Sequence, residues 1–313
     1  MLGFIYEITN ECNLKCPVCY KIINPVKSKN ELDFNKACQV IDKVLSSTQA
    51  GWLEYSGGEP ACCNFLLDIM NHVSYKFPKV KQGIVTNATM VDEDYLDKLV
   101  NVGLSYVEIS LFAENSVCYK QLTGKDYYYR IAEAAADMKL YGLPLIVAIM
   151  LSKQTASSLE SSIDIALATG ADEIALNQFL PLKREDINLQ DFELSRDELV
   201  GLLKAADTKA AEASRKFSVS LPLRPCQINP EKFPHLEFSK CICGKEKWVI
   251  DSQGNLRTCE LNKTILGNLL KDDFATLSTV PAVEKFINFR PYKYCSDCDM
   301  DDECRGGCNF ALY

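Results

Sequence analysis

Histidine is almost absent from this chain, since only His72 and His235 occur among its 313 residues. This scarcity disfavours metal sites built mainly from imidazole. Basic residues are outnumbered as well, because 34 Lys and Arg face 42 Asp and Glu and give a net charge of −8. A nucleic acid is therefore disfavoured as the main partner of the protein.

Long apolar runs are missing too. No stretch reaches the roughly 18 apolar residues of a membrane span, and no positively charged region precedes the apolar N-terminal segment. These absences predict a protein with no membrane partner, no signal peptide and a cytoplasmic location. Cysteine, in contrast, occurs 15 times. In a chain of this type, so many cysteines indicate metal ligands more readily than disulfides.

Three of the cysteines, Cys12, Cys16 and Cys19, form a C-x3-C-x2-C motif. A tetrahedral zinc site needs four protein ligands, and no fourth Cys or His lies nearby. A cubane iron–sulfur cluster held by three thiolates keeps one iron open, and an open iron can activate a small molecule. The spacing therefore favours a catalytic centre over a structural one.

A second motif, Ser56-Gly57-Gly58-Glu59-Pro60, follows at a distance. Together with the cysteine motif and the apolar Val18 before Cys19, it resembles the signature of the radical S-adenosylmethionine (SAM) superfamily. The resemblance implies that the three cysteines hold a [4Fe–4S] cluster whose fourth iron is chelated by SAM. It also implies a cofactor-binding role for Val18, Gly57, Gly58, Glu59 and Pro60. Glycines permit close backbone approach to a ligand, and a carboxylate suits the SAM ammonium.

Three further residues match the resembled pattern more loosely. Asn87 lies in Thr86-Asn87-Ala88-Thr89, where relatives usually have Thr-Asn-Gly. Ser110 stands where relatives hold the ribose or carboxylate of SAM, and Gln178 either faces the adenine or closes the barrel. Asn87 and Ser110 are equally well explained as ordinary turn caps.

The chain alternates short apolar runs with helical patterns, which predicts an α/β fold with a parallel sheet. Six such repeats resemble the partial (β/α)6 TIM-like barrel of the superfamily, in which function lies at the carboxyl ends of the strands. The composition changes near residue 222. We therefore expect a barrel domain at residues 1–221 and a small Cys-rich iron–sulfur domain with a β-hairpin at residues 222–313.

Eight cysteines follow the predicted barrel: Cys226, Cys241, Cys243, Cys259, Cys295, Cys298, Cys304 and Cys308. Their spacing is similar to that of the SPASM domain, which implies one or two auxiliary [4Fe–4S] clusters. By analogy, one cluster uses Cys243 or Cys241 with Cys259 and Cys308, and the other uses Cys295, Cys298 and Cys304. Cys226 or Cys241 then completes a set, or one iron stays open. The alternative is a zinc-ribbon-like module.

Two cysteines are also candidate catalytic residues. Cys118 follows the fourth predicted strand, where a thiol can donate a hydrogen atom to a substrate radical. A partly buried, inert cysteine is the simpler interpretation there. Cys226 also has two interpretations, either as a hydrogen-atom donor or as a cluster ligand.

The resemblance implies an enzyme that cleaves SAM reductively to a 5′-deoxyadenosyl radical, which then abstracts a hydrogen atom from the substrate. The SPASM likeness favours a ribosomally made peptide or protein as substrate, modified by a crosslink, a thioether, epimerisation or oxidation. A small molecule such as a sugar or nucleoside is the alternative substrate. A flavodoxin- or ferredoxin-type electron donor is the expected partner. A non-catalytic electron carrier or zinc-binding module is the alternative of another class.

Overall fold

The computed structural model describes residues 1–16, 19, 21, 30–111, 115–180 and 191–311. The strands, in chain order, are β1 (Gly3–Thr9), β2 (Trp52–Gly57), β3 (Lys81–Thr86), β4 (Leu104–Leu111), β5 (Leu145–Leu151), β6 (Glu173–Gln178), β7 (Phe217–Val219), β8 (Leu236–Phe238), β9 (Lys247–Ile250), β10 (Asn255–Arg257) and β11 (Gly267–Asn268). The α-helices are α1 (Phe34–Ser47), α2 (Leu66–Lys76), α3 (Glu93–Asn101), α4 (Ser116–Thr123), α5 (Tyr128–Leu140), α6 (Leu159–Ala168), α7 (Arg196–Glu212), α8 (Phe274–Leu277), α9 (Pro281–Ile287) and α10 (Asp301–Cys304).

The chain divides into two compact units. The first unit comprises Met1–Lys15, Asn24–Glu108 and Ile242–Asn288, and the second comprises Cys16–Ile23, Ile109–Cys241 and Phe289–Tyr313. Both units thus contain residues from the C-terminal cysteine-rich region. The boundary near residue 222 stays a prediction about sequence domains.

In the first unit, the strand order is β11-β10-β9-β1-β2-β3-β4. β1 pairs in parallel with β2 and with β9, whereas β9, β10 and β11 pair antiparallel. Every residue of β1 is buried, as expected for a parallel strand covered on both faces. Helix α1 begins where the Asp33 side chain accepts a hydrogen bond from the Lys36 amide, a favourable N-cap. It buries Ala37, Val40, Ile41 and Val44, at helical spacing.

In the second unit, β5, β6, β7 and β8 form a continuous parallel run, and the end of β4 belongs to the same unit. Helix α7 begins with a capping box between Ser195 and Glu198. The predicted α/β fold with a parallel sheet and a cysteine-rich C-terminal region containing strands is confirmed. Within the described ranges, no helix combines the length and apolar character that crossing a bilayer requires.

Candidate functional site

The glycine turn after β2 is hydrogen-bonded, backbone to backbone, to the segment that precedes the first cysteine. The amide of Gly58 donates to the carbonyl of Thr9 at 2.7 Å, and the amide of Glu59 donates to the carbonyl of Glu11 at 2.8 Å. The register of β1 against β2 also shifts at this end of the strand. Irregular pairing of this kind changes the direction of a strand end, and here it directs the chain into Cys12.

Both glycines of this turn are needed for close backbone contact. A Cβ atom at Gly57 would lie 2.3 Å from the carbonyl oxygen of Thr9, and one at Gly58 would lie 2.1 Å from that of Glu11. Gly57 also has a φ of +131°, which residues with a side chain rarely adopt. The glycines therefore serve a contact within the protein, and their approach to SAM remains a prediction.

Glu59 is 1% exposed and uses both carboxylate oxygens inside the protein. Oε1 accepts hydrogen bonds from the Thr86 hydroxyl at 2.7 Å and the Ala61 amide at 3.2 Å. Oε2 accepts one from the Asn87 amide at 2.8 Å. Burial raises the pKa of this carboxyl, although the three hydrogen bonds act in the opposite direction. Glu59 thus ties the glycine turn to the end of β3, and its contact with an ammonium remains a prediction.

Asn87 connects the end of β3 to the cysteine loop. Its Nδ2 atom donates to Asn13 Oδ1 at 2.9 Å and lies 3.9 Å from Cys12 Sγ. Asn13 in turn donates to the Thr89 hydroxyl at 2.7 Å, which donates to Asn87 Oδ1 at 2.6 Å. The Leu14 amide lies 3.4 Å from Cys12 Sγ. N–H groups around a sulfur stabilise its thiolate, the form that binds metal.

Ala88 replaces the glycine of the resembled motif, yet its backbone adopts the left-handed conformation with a φ of +58°. Its side chain is buried, and its amide donates to the Thr86 hydroxyl at 3.0 Å. The turn is therefore formed without the glycine that usually favours it.

Glu31, which the sequence reasoning missed, holds the end of β1. Its Oε1 atom accepts from the Asn10 amide at 2.7 Å and its Oε2 atom accepts from the Thr9 hydroxyl at 3.0 Å. The Asn10 side chain also donates to the Ser252 hydroxyl at 3.1 Å. Carboxylates on backbone N–H groups form strong hydrogen bonds, so Glu31 fixes the direction in which the chain approaches the cysteine motif.

In the second unit, Cys16 packs against Phe179 together with Met150 and Phe192. The amide of Cys19 donates to the carbonyl of Cys16 at 3.2 Å, so both cysteines belong to one turn. Phe179 follows β6 and Met150 lies near the end of β5. Cys16 therefore lies at the carboxyl ends of parallel strands, where the sequence places the site.

Side-chain alternation along β6 distinguishes two neighbouring polar residues. Asn177 shares a face with Phe179, whereas Gln178 points to the other face. Asn177 also pairs with Met150 of β5. Its buried Oδ1 atom has no hydrogen-bond partner among the described residues, so it can accept a donor from a ligand. Asn177 is thus a better candidate than Gln178, and counting the alternation back from the aromatic residue is the signal that would have found it.

The other predicted residues of this region lie apart from these contacts. Ser110 is half-buried near the end of β4. Cys118 lies in the first turn of α4, where its amide donates to Asn115 Oδ1 at 3.0 Å. Val18 lies outside the described residues. The roles of Ser110, Cys118 and Gln178 stay predictions.

The expected C-terminal hairpin is present as β9 and β10, and its turn contains Gly254 with a φ of +80°. The hairpin brings Cys259 beside Cys243: their Sγ atoms and a carboxylate oxygen of Glu260 all lie within 4.8 Å of one another. Lys247 Nζ lies 2.9 Å from Glu260 Oε1. Burial opposes both charges, but their attraction prevails and raises the pKa of Lys247 while lowering that of Glu260. The two thiols and this ion pair form a candidate metal-binding corner of the first unit.

The remaining C-terminal cysteines lie in the second unit, and none of the 15 cysteines, each among the described residues, forms a disulfide. Burial and the nearby Cys241 thiol raise the pKa of Cys308. Burial and the nearby Cys226 and Cys295 thiols raise the pKa of Cys304.

Comparison with known protein families agrees with this arrangement. The radical SAM superfamily model matches residues 6–166, and the SPASM model, described as an iron-sulfur cluster-binding domain, matches residues 241–299. Because the first match covers more than half of the chain, the protein belongs to the radical SAM superfamily. It is an enzyme whose cofactors are a [4Fe–4S] cluster, SAM and auxiliary iron–sulfur clusters. The predicted family, enzyme class and cofactors are confirmed.

Two curated relatives illustrate the range of similar proteins. PqqA peptide cyclase of Xanthomonas axonopodis pv. citri is 23% identical over 322 residues, which cover 98% of this chain and 82% of that protein. Fe-coproporphyrin III synthase of Methanosarcina barkeri is 35% identical over 107 residues, which cover 34% of this chain and 26% of that protein. In three curated relatives, the matched part spans 66%, 26% and 47% of the relative, less than two thirds of its length.

Solved structures share the fold over almost the whole chain. The structure of SuiB from Streptococcus suis bound to the precursor peptide SuiA has a TM-score of 0.78 and 18% sequence identity, covering 98% of this chain and 71% of that one. The structure of anSMEcpe with bound AdoMet has a TM-score of 0.76 and 18% identity, covering 98% and 89%. Identities this low establish a common fold alone.

Proposed function

We propose that this radical SAM enzyme modifies a peptide or protein, and that Cys12, Cys16 and Cys19 hold the cluster at which SAM binds. The main support for the ligand assignment is the backbone contact of the glycine turn with the residues just before Cys12. This contact fixes the first thiol at the end of β1. Three thiolates on one loop leave the fourth iron of a cubane to another ligand.

The residues present fit the cofactors. Cys12 Sγ faces the Leu14 amide and the Asn87 side chain, which suits a metal-bound thiolate. The buried Asn177 Oδ1 can accept a hydrogen bond from bound SAM. When bound, the cluster and SAM supply one-electron cleavage of SAM and abstraction of a hydrogen atom from the substrate.

The protein's own residues orient these groups and exclude water. Glu59 fixes the glycine turn through three hydrogen bonds, so the backbone of that turn is held ready for the SAM amino group. Phe179 packs apolar surface against Cys16, which protects a reactive centre from solvent. Because each cleavage of SAM consumes one electron, a flavodoxin- or ferredoxin-type protein is the proposed donor.

A peptide substrate is supported by the names of the relatives that this chain matches over most of its length. The PqqA peptide cyclases of Xanthomonas match 98% of the chain, and SuiB and anSMEcpe, which share the fold, have structures with bound peptides. The bond that is formed in the substrate is left open by these likenesses.

A small-molecule substrate is the second candidate. It is favoured by the higher identity, 35% over 107 residues, to Fe-coproporphyrin III synthase, whose name gives an iron porphyrin as its product. That match covers 34% of this chain, however, and the peptide cyclase match covers nearly all of it.

Anaerobically reconstituted protein, mixed with SAM and dithionite, tests the assignment. We expect 5′-deoxyadenosine from the wild type and from Cys38→Ala, a matched control in which a buried thiol of α1 is removed. We expect none from Cys16→Ala. Short peptides encoded beside the gene are then added and analysed by mass spectrometry. A mass change together with increased 5′-deoxyadenosine supports a peptide substrate, whereas turnover of porphyrin precursors without any peptide product contradicts it.

A further inference from the structure

The segment before Cys226 is anchored to the C-terminal cysteine loop by one buried arginine. Arg224 is 3% exposed. Its Nε atom donates to the Gly306 carbonyl at 2.9 Å, and its Nη2 atom donates to the carbonyls of Cys308 at 2.9 Å and Ala311 at 3.2 Å. A buried guanidinium with several acceptors is held firmly because leaving those groups unpaired is costly. The arginine thus fixes the distance between the two segments.

Contacts on both sides of Arg224 strengthen this attachment. The Cys308 amide donates to the Pro222 carbonyl at 2.9 Å. The Gln227 side chain donates to the Tyr292 hydroxyl at 3.2 Å. Residue 226 therefore lies on a stretch that is bonded to the cysteine loop both before and after it.

The chain makes a tight turn at Cys226, on the stretch that is bonded to the cysteine loop. The amides of Gln227 and Ile228 both donate to the Arg224 carbonyl, at 2.8 and 2.9 Å, which closes a helical turn around Cys226. The Tyr292 carbonyl accepts a hydrogen bond from the Cys295 amide at 3.1 Å, so the tyrosine that Gln227 contacts belongs to the turn that carries Cys295. The Cys304 carbonyl accepts a hydrogen bond from the Gly307 amide at 2.9 Å, next to Gly306, whose carbonyl binds Arg224.

We infer that Cys226 is the fourth ligand of an auxiliary cluster whose other ligands are Cys295, Cys298 and Cys304. The inference rests on the proposed iron–sulfur function of this region. The amide of Cys298 donates to the Cys295 carbonyl at 3.3 Å, so these two cysteines share a turn, and Cys304 ends α10. Four thiolates ligate a cubane completely. A cluster held by these four thiolates would have no open iron for a substrate.

Alkylation of the full-length holoenzyme tests the inference without using activity. Cys226 is exposed in the protein chain, so a free thiol here reacts readily with iodoacetamide, whereas a metal-bound one does not. We monitor the alkylation of Cys226 by mass spectrometry. We expect it to be at least about tenfold slower in the holoenzyme than after anaerobic removal of iron by a chelator. Cys118, which lies outside the cysteine-rich region, reports general reactivity. Equal rates at Cys226 overturn the inference.

Iron and sulfide analysis provides a second test. Cys226→Ala is expected to lose roughly four irons per chain, or to keep them with an altered electron paramagnetic resonance spectrum. The matched control Cys38→Ala keeps both iron and spectrum. Full iron content with an unchanged spectrum in Cys226→Ala overturns the inference. Measuring 5′-deoxyadenosine in the same samples separates the ligand assignment of Cys226 from the proposed function. If the wild type forms no 5′-deoxyadenosine, the proposed function is contradicted, whatever the result for Cys226.

Discussion

At the scale of single residues, one methyl group tests the contact between the glycine turn and the cysteine loop. In Gly58→Ala, the new Cβ meets the Glu11 carbonyl at 2.1 Å, so backbone must move. We expect a loss of about 1–3 kcal/mol in unfolding free energy and a strong loss of 5′-deoxyadenosine formation. The control Gly201→Ala places a methyl in open space within α7, and should stabilise the protein by about 0.5–1 kcal/mol. Denaturant unfolding of both variants measures these changes. A Gly58→Ala protein as stable and as active as the wild type would show that the contact between the glycine turn and the cysteine loop is not required.

Glu59 gives a pH dependence with a defined sign. Because burial raises the pKa of its carboxyl above the ordinary 4.5, the folded protein binds the proton more tightly than the unfolded chain. Its stability contribution is therefore fully present below about pH 4.5 and is lost as the pH rises through the folded-state pKa. The neutral variant Glu59→Gln lacks this slope, but it places an amide N–H₂ against N–H donors and costs about 1–3 kcal/mol. Unfolding curves of both proteins, measured across this pH range, provide the test. If the unfolding free energies of the two proteins depended on pH with the same slope, this prediction would be contradicted.

The sequence predicted the residues that belong to short motifs. It missed residues whose hydrogen-bond partners lie far away along the chain. The C-x3-C-x2-C motif and the Gly-Gly-Glu-Pro turn are short patterns. The hydrogen-bond partners of Glu31 are Asn10 and Thr9, which precede it by 21 and 22 positions. The sequence around Glu31 contains no pattern that indicates these bonds. Strand alternation places Asn177 on the same face as Phe179, but only the contact of Phe179 with Cys16 shows that this face is turned toward a cysteine of the motif.

At the scale of elements, the turn of the β9–β10 hairpin is the clearest test. Gly254 and Gly142 both have left-handed backbones, with φ of +80° and +69°. A Cβ at Gly254 would lie 3.2 Å from Leu32 and 3.3 Å from Val40, whereas one at Gly142 meets nothing within 4 Å. We expect Gly142→Ala to cost about 1–2 kcal/mol from backbone strain alone, and Gly254→Ala to cost more and to lower the iron content. Denaturant unfolding and iron analysis of the two variants provide the measurements. Equal losses of stability and equal iron contents in Gly142→Ala and Gly254→Ala would contradict the prediction.

The alternation of strands and helices was predicted because buried parallel strands are recognisable as short apolar runs. Helix α4 was missed, although both of its ends are signalled. Asn115 caps its first turn and Gly124 ends it with a φ of +78°. The helix has eight residues and a weak apolar pattern, so periodicity gave no sign and only the caps would have revealed it.

At the scale of the whole molecule, metal content is the decisive quantity. We expect about eight to twelve irons per chain after anaerobic purification, from the first cluster and one or two auxiliary cubanes. Because metal binding is coupled to folding in cysteine-rich segments, removal of iron should lower the melting temperature. Elemental analysis and calorimetry provide the measurements. Four irons with stoichiometric zinc would show that the C-terminal cysteines form a zinc module.

The pairing of β9 with β1 was not predicted. The sequence indicated a hairpin in the C-terminal region, but no local pattern states which sheet edge a hairpin joins. Gly3 pairs with Lys247 and Tyr6 with Ile250, and contacts of such separation depend on the complete fold.

This pairing has a consequence for the order of folding. β1 is synthesised before β9, and β9, its partner on one edge, is complete only when Ile250 has been made. Until then, a buried, apolar parallel strand has an open edge, which is a template for association with other chains. The nascent protein is therefore exposed to aggregation at this edge until Lys247–Ile250 have been synthesised, and a chain truncated before Lys247 should need chaperones that a chain containing β9 does not.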